Sequence, residues 1–268
     1  MDMWLGQPTW GQYWLSWLGN GLNRQGNALR WRPMRLYQAA IACRAYTAFG
    51  GGFDDSLQAF ITQTDGAPDL ESGECGPHLM KWLNDWGCRQ FAKEHHRDAF
   101  ERLHAWARRH TDDLPGYTTS TLRLTEAEIR GTARAYDELK EVEASQRRTP
   151  HGTHCVRVGA TGAAKILYAM RPNALPPWDD AIREGLKCDG SAESYSRFLR
   201  MVMGEIQELL ADAARYGVSP EQLPSAIGRT ASTLPKIVDE YFWVTITRNF
   251  NIPKPLELQT WALWCSES

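Results

Sequence analysis

The chain has no apolar run approaching the roughly 18 residues that a membrane-spanning helix requires. Its start, Met1-Asp2-Met3-Trp4, lacks the basic flank and apolar stretch of a secretory leader. These absences predict a soluble, cytoplasmic chain with no membrane partner. Cysteine pairs at ligand spacing are also missing: Cys43, Cys75, Cys88, Cys155, Cys188 and Cys265 are scattered, with no Cys-x-x-Cys among them. Zinc-ribbon and iron–sulfur frameworks are thereby excluded, and the expectation is reduced thiols with no metal and no cofactor. There is no excess of charge of one sign, since 30 Lys and Arg face 32 Asp and Glu. A broad polycation is excluded, but a basic patch on one face is not. With 43% hydrophobic residues in 268, there is enough apolar material for a core, and intrinsic disorder is excluded.

What the chain does have is tryptophan and helix periodicity. Of its 12 tryptophans, Trp4, Trp10, Trp14, Trp17 and Trp31 crowd the first segment. Leu36, Ala40, Ile41 and Ala45 follow at helix spacing, Gly50 to Phe53 interrupts it, and Ser56 to Ile61 resumes it. Leu79, Leu83 and Trp86, then Phe100, Leu103 and Ala107, mark further stripes. Thr125 with Glu128 three residues on has the form of a capping box opening a helix through Ile129, Ala133, Tyr136 and Leu139. Phe198, Val202, Ile206, Leu209, Leu210 and Ala213 form a stripe that Gly217 ends. Only 118–123 and Trp243-Val244-Thr245-Ile246-Thr247 compete locally with helix. The fold class expected is all-α, in two helical subdomains. Glycine and proline in 62–77 suggest a boundary, giving a Trp-rich N-terminal segment, 1–75, and a core, 76–268. A second, turn-like break is expected at 145–152.

Chemistry concentrates between 157 and 187. Arg157-Val158-Gly159-Ala160-Thr161-Gly162-Ala163-Ala164-Lys165 reads as a tight glycine turn whose amides face outward, followed by a helix starting close against it. Such a turn can hold a phosphate. Pro172 stops that helix, a hydrophobic Leu175-Pro176-Pro177-Trp178 elbow follows, and a helix restarts at Asp179-Asp180.

A glycine hairpin, a helix and a carboxylate after a proline–hydrophobic pair resemble the helix-hairpin-helix DNA glycosylase superfamily over about thirty residues. Pro177-Trp178-Asp179 fits the later motif position for position, and Asp179 lies fifteen positions after Ala164. The departures are a two-residue gap between Gly159 and Gly162, and Lys165 standing one residue, or about 100° of helix, out of register for the family's lyase lysine. The resemblance implies a helix-hairpin-helix motif at 157–165 flanking a cleft, DNA as partner and a flipped nucleotide in a pocket. Asp179 would stabilise positive charge on the deoxyribose or orient water, with Asp180 in reserve. Arg157, Gly159, Thr161, Gly162 and Lys165 would grip backbone phosphates, and Trp178 and Tyr168 would line the base pocket. The implied activity is that of a hydrolase: a monofunctional DNA glycosylase without lyase chemistry, acting on a damaged or modified base. The departures from the family pattern, not the resemblance, point to hypermodified bases of foreign (phage) DNA, and so to antiviral defence.

Blander readings stand beside these. Asp179 has the residue type and position of a helix N-cap, with Asp180 adding first-turn charge. Trp178 and Tyr168 suit a core equally well. Lys236, Asp239, Glu240 and Tyr241 read first as a surface ion-pair cluster, with a carboxylate or Tyr241 reaching a pocket as the alternative, and His95-His96 as a solvated face. The competing functions are a non-catalytic helical DNA-binding module and a helical interaction or assembly protein built on the Trp-rich segment.

Overall fold

The computed structural model describes residues 33–66, 68–71, 74–150 and 152–266. The chain divides into two compact units, Met1–Met34 and Arg35–Ser268. Of the Trp-rich expectations, those at Trp4 to Trp31 lie outside the described residues. The division falls at Met34/Arg35 rather than near residue 75, because the helix that follows packs within the larger unit. The loop expected around 62–77 is present, but it joins two helices of one body.

That body is mostly helical: α1 (Leu36–Gln63), α2 (Gly76–Asp85), α3 (His96–His110), α4 (Glu126–Glu141), α5 (Gly159–Met170), α6 (Asp180–Gly185), α7 (Ala192–Ala214), α8 (Leu223–Ala226), α9 (Leu234–Phe242) and α10 (Pro255–Ser266). The all-α expectation needs one correction. An antiparallel ribbon, β1 (Glu143–Thr149) with β2 (Gly152–Arg157), stands where a turn-like break was expected. Trp243–Thr247 is also not extended: it continues α9 as a π-helical turn, overriding the local β preference of its branched side chains. Among the described residues, no helix is long and apolar enough to cross a membrane.

The elements follow from local rules. Thr125 caps α4 by accepting from the Glu128 amide, and the Glu128 carboxylate accepts from the Thr125 amide in return, the reciprocal box its spacing predicts. Phe198, Val202, Ile206 and Leu209 of α7 are buried against α4 and α9. On α1 the helix is as expected, but its buried face is Ala39, Ala42, Cys43 and Tyr46, rotated from the Leu36, Ala40, Ile41 and Ala45 stripe. The helix also runs through the glycines, kinked at Gly50. Centrally, α5 buries every residue from Gly162 to Met170 except Lys165, which is half-buried, as an element apolar all round must.

Candidate functional site

Asp179 is placed by its own capping bond. Its Oδ1 accepts from the Ile182 amide at 2.7 Å, fixing the first turn of α6. Thr247 on the π-helical turn donates its hydroxyl to Oδ2 at 3.0 Å. The turn comes this close because Gly185 has no side chain: a Cβ there would sit 2.5 Å from Ile246 Cγ2. The structure bears out the capping reading of Asp179 and adds its place beside a pocket. The residue is an N-cap, and it is half-buried on the edge of a pocket.

The pocket has a volume of about 190 Å³, below the roughly 300–1,000 Å³ typical of drug-sized ligands and suited to a single planar ring system. Tyr46, Phe53, Trp86, Trp178 and Trp243 form its apolar walls, and Lys165, Asp179, Lys236 and Asp239 supply its charge. The aromatic rings brace one another. Tyr46 and Trp243 meet edge to face at 5.2 Å, while Phe53 contacts both Trp86 and Trp243. Trp86 is held by donating its indole N–H to the Phe53 carbonyl, at a helix end where Gly87 takes a left-handed φ of +80°. A larger hollow of about 340 Å³ near Ile206 and Leu234 has Glu221 as its one ionisable side chain, and so lacks converging chemistry.

Behind the pocket lies an ionic chain, buried at Lys236, Asp239 and Glu240 and half-buried at Arg229 and Asp54. Lys236 is 2% exposed; its ammonium donates to Asp239 Oδ2 at 2.6 Å and sits 4.2 Å from the centre of the Tyr46 ring. Glu240, fully buried, is 3.8 Å from the same ammonium and accepts from Arg229, which also clasps Asp54 with two bonds. Burial pushes the Asp239 carboxyl up to about 6, and Asp179 and Glu240 push it the same way against the pull of Lys236. Lys236, by contrast, is held above its usual value: burial disfavours its charge, but Asp239 and the other groups around it outweigh that.

These four residues correct the expectation of a surface cluster: Lys236, Asp239 and Glu240 are buried, and Tyr241 is half-buried. Polar residues at i, i+3 and i+4 ordinarily mark a solvated face. Here the apolar partners Ile237, Val238 and Phe242 are buried as well, so α9 has no solvated face. That unbroken apolar company was the available signal.

Several other expectations change. Gly159 to Gly162 is the first turn of α5 rather than a separate hairpin, and the element before it is a strand. Gly159 has the left-handed φ, +71°. Gly162 is a packing position, since a Cβ there would lie 2.6 Å from the Gln90 amide that donates to the Val158 carbonyl. Lys165 lines the pocket and donates to the Trp86 carbonyl instead of facing outward towards phosphate. Tyr168 stacks behind Trp86 at 5.9 Å, outside the lining, while Trp178 lines the pocket from a fully buried position. Asp180 is exposed and does not line the pocket; it ties the start of α6 to α5 by accepting from Thr161 at 2.7 Å and from Arg183 at 2.6 Å. Arg157 is exposed and paired with Glu141. His95 and His96 are half-buried rather than solvated, His96 bonding Asn84 and Phe91. No group of metal-ligating side chains occurs among the described residues. Compared with family models, curated proteins and solved structures, the chain gives no match.

Proposed function

We propose that this chain is a DNA glycosylase that hydrolyses the N-glycosidic bond of a modified base flipped into the aromatic pocket. The observation that carries this reading is the Asp179 carboxylate on the edge of a pocket walled by five aromatic rings, held there by the Ile182 amide and the Thr247 hydroxyl. Flat aromatic walls offer stacking to any base, and a flipped nucleotide puts its sugar at the pocket mouth.

In this reading the C1′–N bond breaks with its electron pair passing to the base nitrogen, which takes up a proton. Water adds to C1′ and gives its own proton to solvent or to Asp179. Asp179 stabilises the cationic sugar as the bond lengthens. Asp239, a pocket carboxyl pushed up to about 6 by burial and bonded to Lys236, supplies the proton that the departing base takes up. Lys165 stays tied to the Trp86 carbonyl, so water, not amine, is the nucleophile. The helix-hairpin-helix resemblance supports the same assignment through Pro177-Trp178-Asp179.

The test is incubation with duplexes and single strands carrying altered and hypermodified bases, including phage-type modifications, followed by alkaline cleavage of abasic sites. Asp179→Asn is expected to lose on the order of 10²–10³ in rate. It should remain as stable as wild type, because Asn caps a helix as well as Asp. Full activity in that variant overturns the assignment, as does salt-sensitive binding without abasic sites on every substrate. A borohydride-trapped adduct through Lys165 would replace water by amine.

A further inference from the structure

The β1–β2 ribbon has no structural reason to carry the charge it does. From Ala144 to Val156 the sequence contains no acidic residue, but it has Arg147, Arg148 and His154 within the paired strands. The inner part, Ala144 and Ser145, is buried, and Ser145 donates to the Gln90 carbonyl to anchor the base of the ribbon. Beyond that, Gln146 to Arg148 and Gly152 to Cys155 are exposed. A two-stranded ribbon without a covered face is marginal in water by itself. In this register Arg147 lies directly opposite His154, an arrangement that costs stability whenever the histidine is charged. Nearby carboxylates do not neutralise these groups: Glu141 is taken by Arg157 and Glu143 by Arg102. Arg147 and Arg148 have no carboxylate partner among the described residues.

The pleat distributes the cations on both sides. Successive residues alternate faces, so Arg147 and His154 occupy one face and Arg148 with Thr153 the other. A ribbon lying on a flat anionic surface would need its cations on one face only. A duplex groove instead presents a phosphate wall on each side, and the major groove, about 12 Å wide, admits a two-stranded ribbon. The ribbon is also close to the pocket along the chain. Strand β2 leads directly into α5, and Lys165, six positions past Gly159 and so about 9 Å along the helix, lines the pocket.

We propose that the β1–β2 ribbon inserts into the major groove of double-stranded DNA beside the flipped nucleotide, Arg147 and His154 meeting one phosphate wall and Arg148 the other. The inference rests on the glycosylase reading for the identity of the polymer, but not for its test. Equilibrium binding of the full chain to an unmodified duplex is measured across a salt series. Arg147→Gln and Arg148→Gln are each expected to reduce the slope of log affinity against log salt by about 1, and the double variant by about 2, with roughly tenfold or greater weakening at low salt. A control pair, Arg130→Gln with Lys254→Gln, removes the same charge from exposed positions outside the ribbon and should leave the slope unchanged. If the wild type binds duplex with this ribbon-dependent slope but forms no abasic site on any substrate, the enzyme reading alone fails and the ribbon assignment stands. The ribbon proposal is overturned if the wild type does not bind duplex, if the control pair weakens binding equally, or if only one of the two arginines matters. Thermal melting of each variant verifies that the fold is retained.

Discussion

Two groups of charges in this molecule differ in almost every respect. In the set on α9 and its neighbours, Lys236, Asp239 and Glu240 are buried and Arg229 and Asp54 half-buried, and each member has an opposite charge within bonding range. On the ribbon, Arg147 and Arg148 are exposed and without a carboxylate partner among the described residues. Charges that have left water must be paired, or they cost several kcal/mol each. Charges that stay in water cost almost nothing, and remain free to meet an outside partner. The first set thus belongs to the architecture of the pocket, and the second to whatever the pocket is brought to.

The largest effect expected from breaking this contrast is at Lys236. Lys236→Met removes the ammonium but leaves Asp239 buried without its cation, and Glu240 with Arg229 as its one remaining cation among the described residues. A loss of about 3–5 kcal/mol is expected, the range for stripping one partner from a buried pair. Chemical denaturation measures it. A loss below about 1 kcal/mol, as for an exposed pair, would mean that water reaches the site and that the two charge sets are not different in kind.

Much of this arrangement could be read before any coordinates, but unevenly. The capping box at Thr125 and the stripe on α7 were legible because both are local: the spacing is itself the structure. Asp179 was legible as a cap, since an aspartate after a proline turn and just before a helix is a preferred N-cap residue. The aromatic walls were not, because Tyr46, Phe53, Trp86 and Trp243 come from separate segments that only tertiary packing unites. Lys236 and Asp239 were misread for a different reason: their spacing is that of a solvated helix face, and only burial from other elements distinguishes the two cases. The ribbon escaped because strand patterning relies on one covered face, and most of this ribbon has none.

A smaller effect separates the buried set from ordinary carboxylates. Asp239, with Lys236, Glu240 and Asp179 around it, is pushed up to about 6 from 3.8. Between those values the folded protein keeps a proton that the unfolded chain releases, so this group's contribution to stability is greatest at low pH and declines as pH rises through the window. Most carboxylates do the reverse. The difference in melting temperature, wild type minus Asp239→Asn, should therefore grow as pH falls from 7 to 5. A difference that is flat or shrinks would show that Asp239 titrates as an exposed acid does.

The smallest effect expected is on the ribbon, where its smallness is the result that matters. Arg147→Gln removes an exposed charge with no carboxylate partner, and relieves its cross-strand opposition to His154. Stability should shift by no more than about 0.5 kcal/mol. Chemical denaturation tests this. A substantial loss would mean that Arg147 supports the fold through contacts of its own, and the positive charge on the ribbon would then need no partner to explain it.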